Sequence, residues 1–180
     1  EEMVVVARQR SRVETGGSMQ SGRSLLIVED ETELARVLEQ HFVALGFRVR
    51  RADNGADALR LIMDADFDAV LCDMVMPKMP GDMFYSAVQK VKPAMCERFI
   101  FITGYGESPG VRDFLSRVSE QVVKKPFNLE DLANALRQLF ADLEDRSHRL
   151  DPPGGHFTPE AGNAECRMQN AEWVGGFMGP

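Results

Sequence analysis

In this 180-residue chain, Glu29, Asp30, Asp73, Thr103 and Lys125 stand at or just after the ends of short apolar runs. The runs are Leu25-Leu26-Ile27-Val28, Ala69-Val70-Leu71-Cys72, Phe99-Ile100-Phe101-Ile102 and Val122-Val123. Singly, each residue has a plain role. Asp30 suits a helix N-cap, Glu29 and Glu31 suit a first turn, Asp73 can open the turn ending at Pro80-Gly81, Thr103 is common in strands and Lys125 on surfaces. Together they ask for more. If the runs end at one rim, Glu29, Asp30 and Asp73 converge, and two carboxylates ~4 Å apart repel by about 4 kcal/mol at an effective dielectric near 20. Something positive must sit among them. Oxygen donors suit a hard cation, and Mg²⁺ commonly takes one or two protein carboxylates while leaving positions open to phosphate oxygens. A carboxylate held against such an ion is a competent nucleophile toward phosphorus when a second cation faces the transferring oxygens. Asp73 is then the acceptor, Lys125 the second cation and Thr103 a hydroxyl donor whose rotamer reports occupancy.

The elements that must position these groups alternate. The runs above, with Phe47-Arg48-Val49 as a further one, mostly lack polar alternation, as strands covered on both faces do. Between them lie helical stripes: Leu34, Val37, Leu38, Phe42 and Leu45 within 31–45; Ala58, Leu59, Ile62 and Met63 within 54–65; weaker patterns at 82–91 and 108–118; and Leu129, Leu132, Leu136, Leu139 and Leu143 within 128–143. A capping side chain followed three residues later by an acid marks three starts: Asp30 with Glu33, Asn54 with Asp57, and Asn128 with Asp131. The order is (βα)5 over residues 24–142. A closed eightfold barrel needs about 250 residues. The expectation is therefore an α/β fold, an open doubly wound five-stranded parallel sheet in a flavodoxin-like three-layer sandwich, with the strand-end residues at its ligand-binding rim. Residues 1–23 read as a flexible linker and 143–180 as a Gly/Pro-rich, mostly irregular tail.

The string VLCDMVMPKMPG (70–81), with EDE at 29–31, FITG at 101–104 and KKPF at 124–127, resembles the receiver domain of two-component response regulators, the CheY-like superfamily. The likeness covers residues 24–142. It implies that Asp73 is the phosphorylated aspartate, that Glu29 and Asp30 hold Mg²⁺ beside it, that the backbone carbonyl of Val75 completes the protein ligands, and that Thr103 and Lys125 hold the phosphoryl group. Met76-Pro77 and Gly81 match the family's loop after the acceptor, and a cis Lys125-Pro126 bond is expected. The implied function is phosphorelay signalling by a phospho-accepting switch rather than a conventional enzyme, with a histidine kinase or histidine phosphotransfer protein as donor. FITGYGESPGVRDFL with the following strand and KKPF is similar to receivers of hybrid sensor histidine kinases. Two positions depart from the pattern. Val122 stands where many members carry Tyr or Phe, so no aromatic swings there, and Val75 is apolar where many carry a polar side chain.

Composition closes off other classes. A net charge of −7 without a basic arm disfavours direct nucleic-acid binding and an anionic membrane surface. The apolar runs are too short to span a bilayer and the start lacks a signal-peptide core, so a cytoplasmic protein without membrane contact is expected. The cysteines Cys72, Cys96 and Cys166 share no metal-like spacing. Gly104-Tyr105-Gly106 with Gly110 misses the dinucleotide spacing and follows the wrong strand. A haloacid-dehalogenase-type phosphotransferase needs a second Asp where Val75 stands. The stronger rival is a receiver-shaped interaction module whose output ignores phosphate; a homodimer is one further output. His41 reads as a boundary core residue, Cys72 as an inert thiol, and Met74, Met76, Met79 and Met83 as core filling more than docking.

Overall fold

The computed structural model describes residues 22–104, 109–118 and 121–150; the expected linker up to residue 21 and the expected tail beyond residue 150 lie outside them. Strand β1 (Ser24–Val28), helix α1 (Thr32–Ala44), β2 (Arg48–Ala52), α2 (Gly55–Asp64), β3 (Ala69–Asp73), α3 (Gly81–Val91), a 3₁₀ turn (Pro93–Arg98), β4 (Phe99–Thr103), α4 (Pro109–Arg117), β5 (Gln121–Lys124) and α5 (Leu129–Leu150) follow one another. All strand pairs are parallel, in the order β2-β1-β3-β4-β5, as the alternating pattern requires.

Strand periodicity divides the apolar residues between two cores. Leu26, Val28, Val70, Cys72, Phe99 and Phe101 face α2 and α3, packing on Ala58, Ile62, Phe84, Tyr85 and Val88. Leu25, Ile27, Ala69, Leu71, Ile100 and Ile102 face the other way, onto Leu34, Leu38 and Phe42 of α1 and Leu132, Leu136 and Phe140 of α5. The central strands are covered on both sides, which is why they read as unbroken apolar runs. β2 is an edge, with Arg48, Arg50 and Arg51 exposed.

Two expected caps form as written. Asn54 Oδ1 accepts from the amides of Ala56 and Asp57, both at 3.1 Å, while its Nδ2 donates to Asp57 at 2.7 Å. Asn128 and Asp131 bond each other's amides reciprocally at 2.9 Å. The third does not form: α1 starts at Thr32, with Glu31 in the capping position and no side-chain cap bond. α1 ends in a Schellman motif, where Gly46 takes φ 92° and the Gly46 and Phe47 amides return to the Val43 and Phe42 carbonyls. Phe47 thereby lands on Phe42 and Phe140 in the core, so β2 begins one residue later than the apolar run suggests and continues through the arginines. α5 likewise outruns its expected end at 143. No breaker occurs before Pro152, and Arg23–Glu144 at 2.6 Å and Arg146–Glu97 at 3.3 Å tie the added turns to the domain.

Candidate phosphoacceptor site

β1 and β3 are neighbours where the strand order reverses, the place at which open α/β sheets leave a crevice beyond the strand ends. Glu29 follows β1, Asp73 ends β3 and Thr103 ends β4, all three buried, at 1%, 5% and 0% exposure. Asp30 is exposed. One carboxylate oxygen from each of Glu29, Asp30 and Asp73 lies within 4.8 Å of the others. Lys125 supplies the positive charge that this crowding demands. Its Nζ donates to Asp73 Oδ2 at 2.6 Å and to Glu29 Oε2 at 3.3 Å. The Lys125-Pro126 peptide is cis, and the Lys125 amide donates to the Thr103 carbonyl at 2.6 Å.

The remaining carboxylate oxygens are also engaged. Asp73 Oδ1 accepts from the Val75 amide at 3.0 Å, and Glu29 Oε1 from the Glu31 amide at 3.2 Å. The helix start accounts for the missing cap: with α1 beginning at Thr32, Asp30 lies one residue outside the capping position, and its carboxylate joins the acidic cluster instead. Val75 is 65% exposed beside Asp73.

Burial, and next the charge of Asp73, push the Glu29 carboxyl up from 4.5 to about 7, against the pull of Lys125 and the Glu31 amide. Burial works against the Lys125 ammonium, yet its bonds to Asp73 and Glu29 outweigh this and raise it above the ordinary lysine range. One ammonium thus stands against a cluster of three carboxylates, which leaves the rim short of positive charge. An all-oxygen donor set short of positive charge fits a hard divalent cation. The sign of the pH effect follows. A carboxyl raised on folding stabilises below its unfolded value, and that stability is lost as pH rises through the folded one. In Mg²⁺-free buffer the unfolding free energy obtained from urea melts should therefore fall between about pH 4.5 and above about pH 7, by on the order of 1–3 kcal/mol. Glu29→Gln should flatten this slope; an unchanged slope in that variant would remove Glu29 as its source.

Two glycines set the fit of the loop after Asp73. A Cβ on Gly81 would lie 2.7 Å from the Asp73 carbonyl oxygen. Gly55, which the sequence reading does not single out, lets α2 abut the same loop: its amide donates to Met79 O at 3.1 Å, and a Cβ would lie 2.7 Å from that oxygen. The Asn54-Gly55 dipeptide was the available signal. Met74 and Met76 of this loop are buried, whereas Met83 is 55% exposed. Cys72 is fully buried with its thiol pushed far up by burial, an inert group as expected.

A parallel sheet wound on both sides, with a carboxylate-lysine cluster at its switch point, defines a flavodoxin-like α/β domain. The chain belongs to the response regulator receiver domain family, whose model matches residues 25–137. It is 28% identical over 136 residues to sensor kinase CckA of Brucella abortus, a match spanning 74% of this chain and 14% of CckA. It is 29% identical over 117 residues to the response regulator receiver protein CpdR of the same organism, spanning 65% of this chain and 96% of CpdR. Among solved structures, TrrA from Thermotoga maritima in complex with Mg(2+)-BeF shares 26% identity and a TM-score of 0.57, covering 65% of this chain and 98% of TrrA. No helix among the described residues is long and apolar enough to cross a membrane.

Proposed function

We propose that Asp73 accepts a phosphoryl group from a phosphohistidine of a histidine kinase or histidine phosphotransfer protein in the cytoplasm, and that this switches a protein-interaction surface. The observation that carries the reading is the bridge of Lys125 Nζ between Asp73 and Glu29, with Asp30 completing the acidic cluster. In the transfer, an Asp73 oxygen bonds phosphorus as the donor's P–N bond breaks and the imidazole leaves. Lys125, held charged by its partners, faces the transferring oxygens, and Thr103 offers its hydroxyl to them. Glu29, Asp30, Asp73 and the carbonyl of Val75 would hold Mg²⁺, as the Mg(2+)-BeF complex of TrrA supports. Bound there, Mg²⁺ would offset the negative charge that acceptor and phosphoryl group bring together. The protein is a switch that catalyses only its own phosphotransfer and slow dephosphorylation.

Incubation with acetyl phosphate and Mg²⁺, read by intact mass, tests this. The chain should gain one phosphate and Asp73→Asn none. A wild type that gains nothing would instead be the phosphate-independent interaction module, a reading that the small, 37% exposed Val122 favours. Val75 bears on lifetime. An exposed apolar side chain beside the acceptor cannot orient a hydrolytic water, so Val75→Asn should speed loss of the phosphate by about tenfold. An unchanged decay, followed by mass after removal of acetyl phosphate, would refute that role for Val75.

A further inference from the structure

α4 is attached to the domain unlike the other helices. None of its residues is fully buried. It meets the core through the partly buried Val111, Phe114 and Leu115, with Val118 just beyond its end. Of these only Phe114 carries a ring, and that ring sits edge-on against two others, Phe101 at 5.5 Å and 82° and Tyr85 at 5.5 Å and 77°. Tyr85, buried in α3, also touches Phe99 and Phe101.

These rings lie directly below the site. Phe101 and Thr103 are two residues apart on β4 and so share one face of the sheet. The end of β4 is tied to both sides of the acceptor crevice: the Met74 amide donates to Ile102 O at 2.9 Å, and the Lys125 amide donates to Thr103 O. On β5 the register partner of Phe101 is Val122, whose small side chain brings no ring to this face. A displacement of Thr103 toward an occupied Asp73 is therefore imposed on Phe101, and close-packed rings pass such a displacement on rather than absorb it. Of the helices on this face, α2 and α3 are anchored by buried residues and α4 by none, so α4 is the one that yields.

We propose that Phe114 is a positioning residue: seated edge-on against Phe101 and Tyr85, it carries occupancy of Asp73 from the end of β4 to α4. The inference rests on the phosphoacceptor reading and adds the route by which one helix senses it.

The test uses the full chain with Mg²⁺ and beryllofluoride, following amide exchange of residues 109–117 by mass spectrometry, beside intact mass after acetyl phosphate. In the wild type, beryllofluoride should change exchange of 109–117 by about fivefold or more. Phe114→Leu keeps apolar bulk but loses the ring; it should cut that change to below about twofold while the phosphate is still gained. Phe101→Leu, which removes the partner ring, should give the same loss, and Phe114→Tyr should retain the wild-type response. A Phe114→Leu variant that responds like the wild type overturns the inference, as does a wild type that gains phosphate without any response in 109–117. A wild type that gains no phosphate overturns the acceptor reading and the coupling with it, and intact mass distinguishes that result from the other two.

Discussion

Lys125→Met is expected to cost about 3–5 kcal/mol of stability near neutral pH in Mg²⁺-free buffer, the range for removing one partner of a buried ion pair. Lys125 lies between Glu29 at 1% and Asp73 at 5% exposure and is the cation bonded to both. Without it two carboxylates share a buried crevice. The loss should shrink below the Glu29 value of about 7, because a protonated Glu29 no longer repels Asp73 and can donate to it. Urea unfolding at about pH 5 and about pH 8 reads this dependence directly. Phosphate uptake from acetyl phosphate should fall by about a hundredfold or more, as for loss of one donor to a developing oxyanion. A variant within about 1 kcal/mol of wild type at both pH values would show that the bridge carries no stability.

Gly81→Ala should do comparable damage by a different route. The added Cβ would lie 2.7 Å from the Asp73 carbonyl oxygen, 3.0 Å from Met74 Cα and 3.1 Å from Met74 Sδ. The sulfur can swing away; the two backbone atoms cannot without moving the end of β3. That end carries Asp73, and the Gly81 amide is itself bonded to Met74 O at 3.2 Å. A loss of about 3 kcal/mol, the upper range for overpacking, is expected, with uptake of phosphate slowed by about tenfold or more as Asp73 leaves its place beside Lys125. Gly104→Ala is the control, since among the described residues nothing lies within 4 Å of a Cβ there. Equal losses at the two positions would mean that the close approach at Gly81 is not the cause.

What was legible in the chain was local or carried by charge. Apolar periodicity announced the central strands and the helix stripes because these residues are covered on both faces or along one side. The Asn54/Asp57 and Asn128/Asp131 caps are closed within four residues, so sequence spacing suffices for them. The convergence of Glu29, Asp30 and Asp73 was legible for a similar reason: neighbouring strands put their ends together, and mutual repulsion then requires a partner such as Lys125. The failures are tertiary. Asp30 had every local qualification for a cap, yet α1 starts one residue later and the Asp30 carboxylate turns to Glu29 and Asp73 at the strand ends. Phe47 looked like strand and is core, because a glycine in the left-handed region turns the chain under α1. The Asn54-Gly55 dipeptide marks a turn, but what Gly55 must accommodate is a loop more than twenty residues away, which the dipeptide alone does not specify.

The arginines of β2 decide how two copies of this domain can meet. An unpaired sheet border is ordinarily an invitation to a further strand. Here a second copy pairing antiparallel along that border about Val49 would set Arg48 against Arg50 of the other copy, twice over, at a strand spacing of about 4.8 Å, each facing pair repelling by roughly 1 kcal/mol even in water. Self-association by extending the sheet on this flank is thus penalised relative to contact through an uncharged part of the surface.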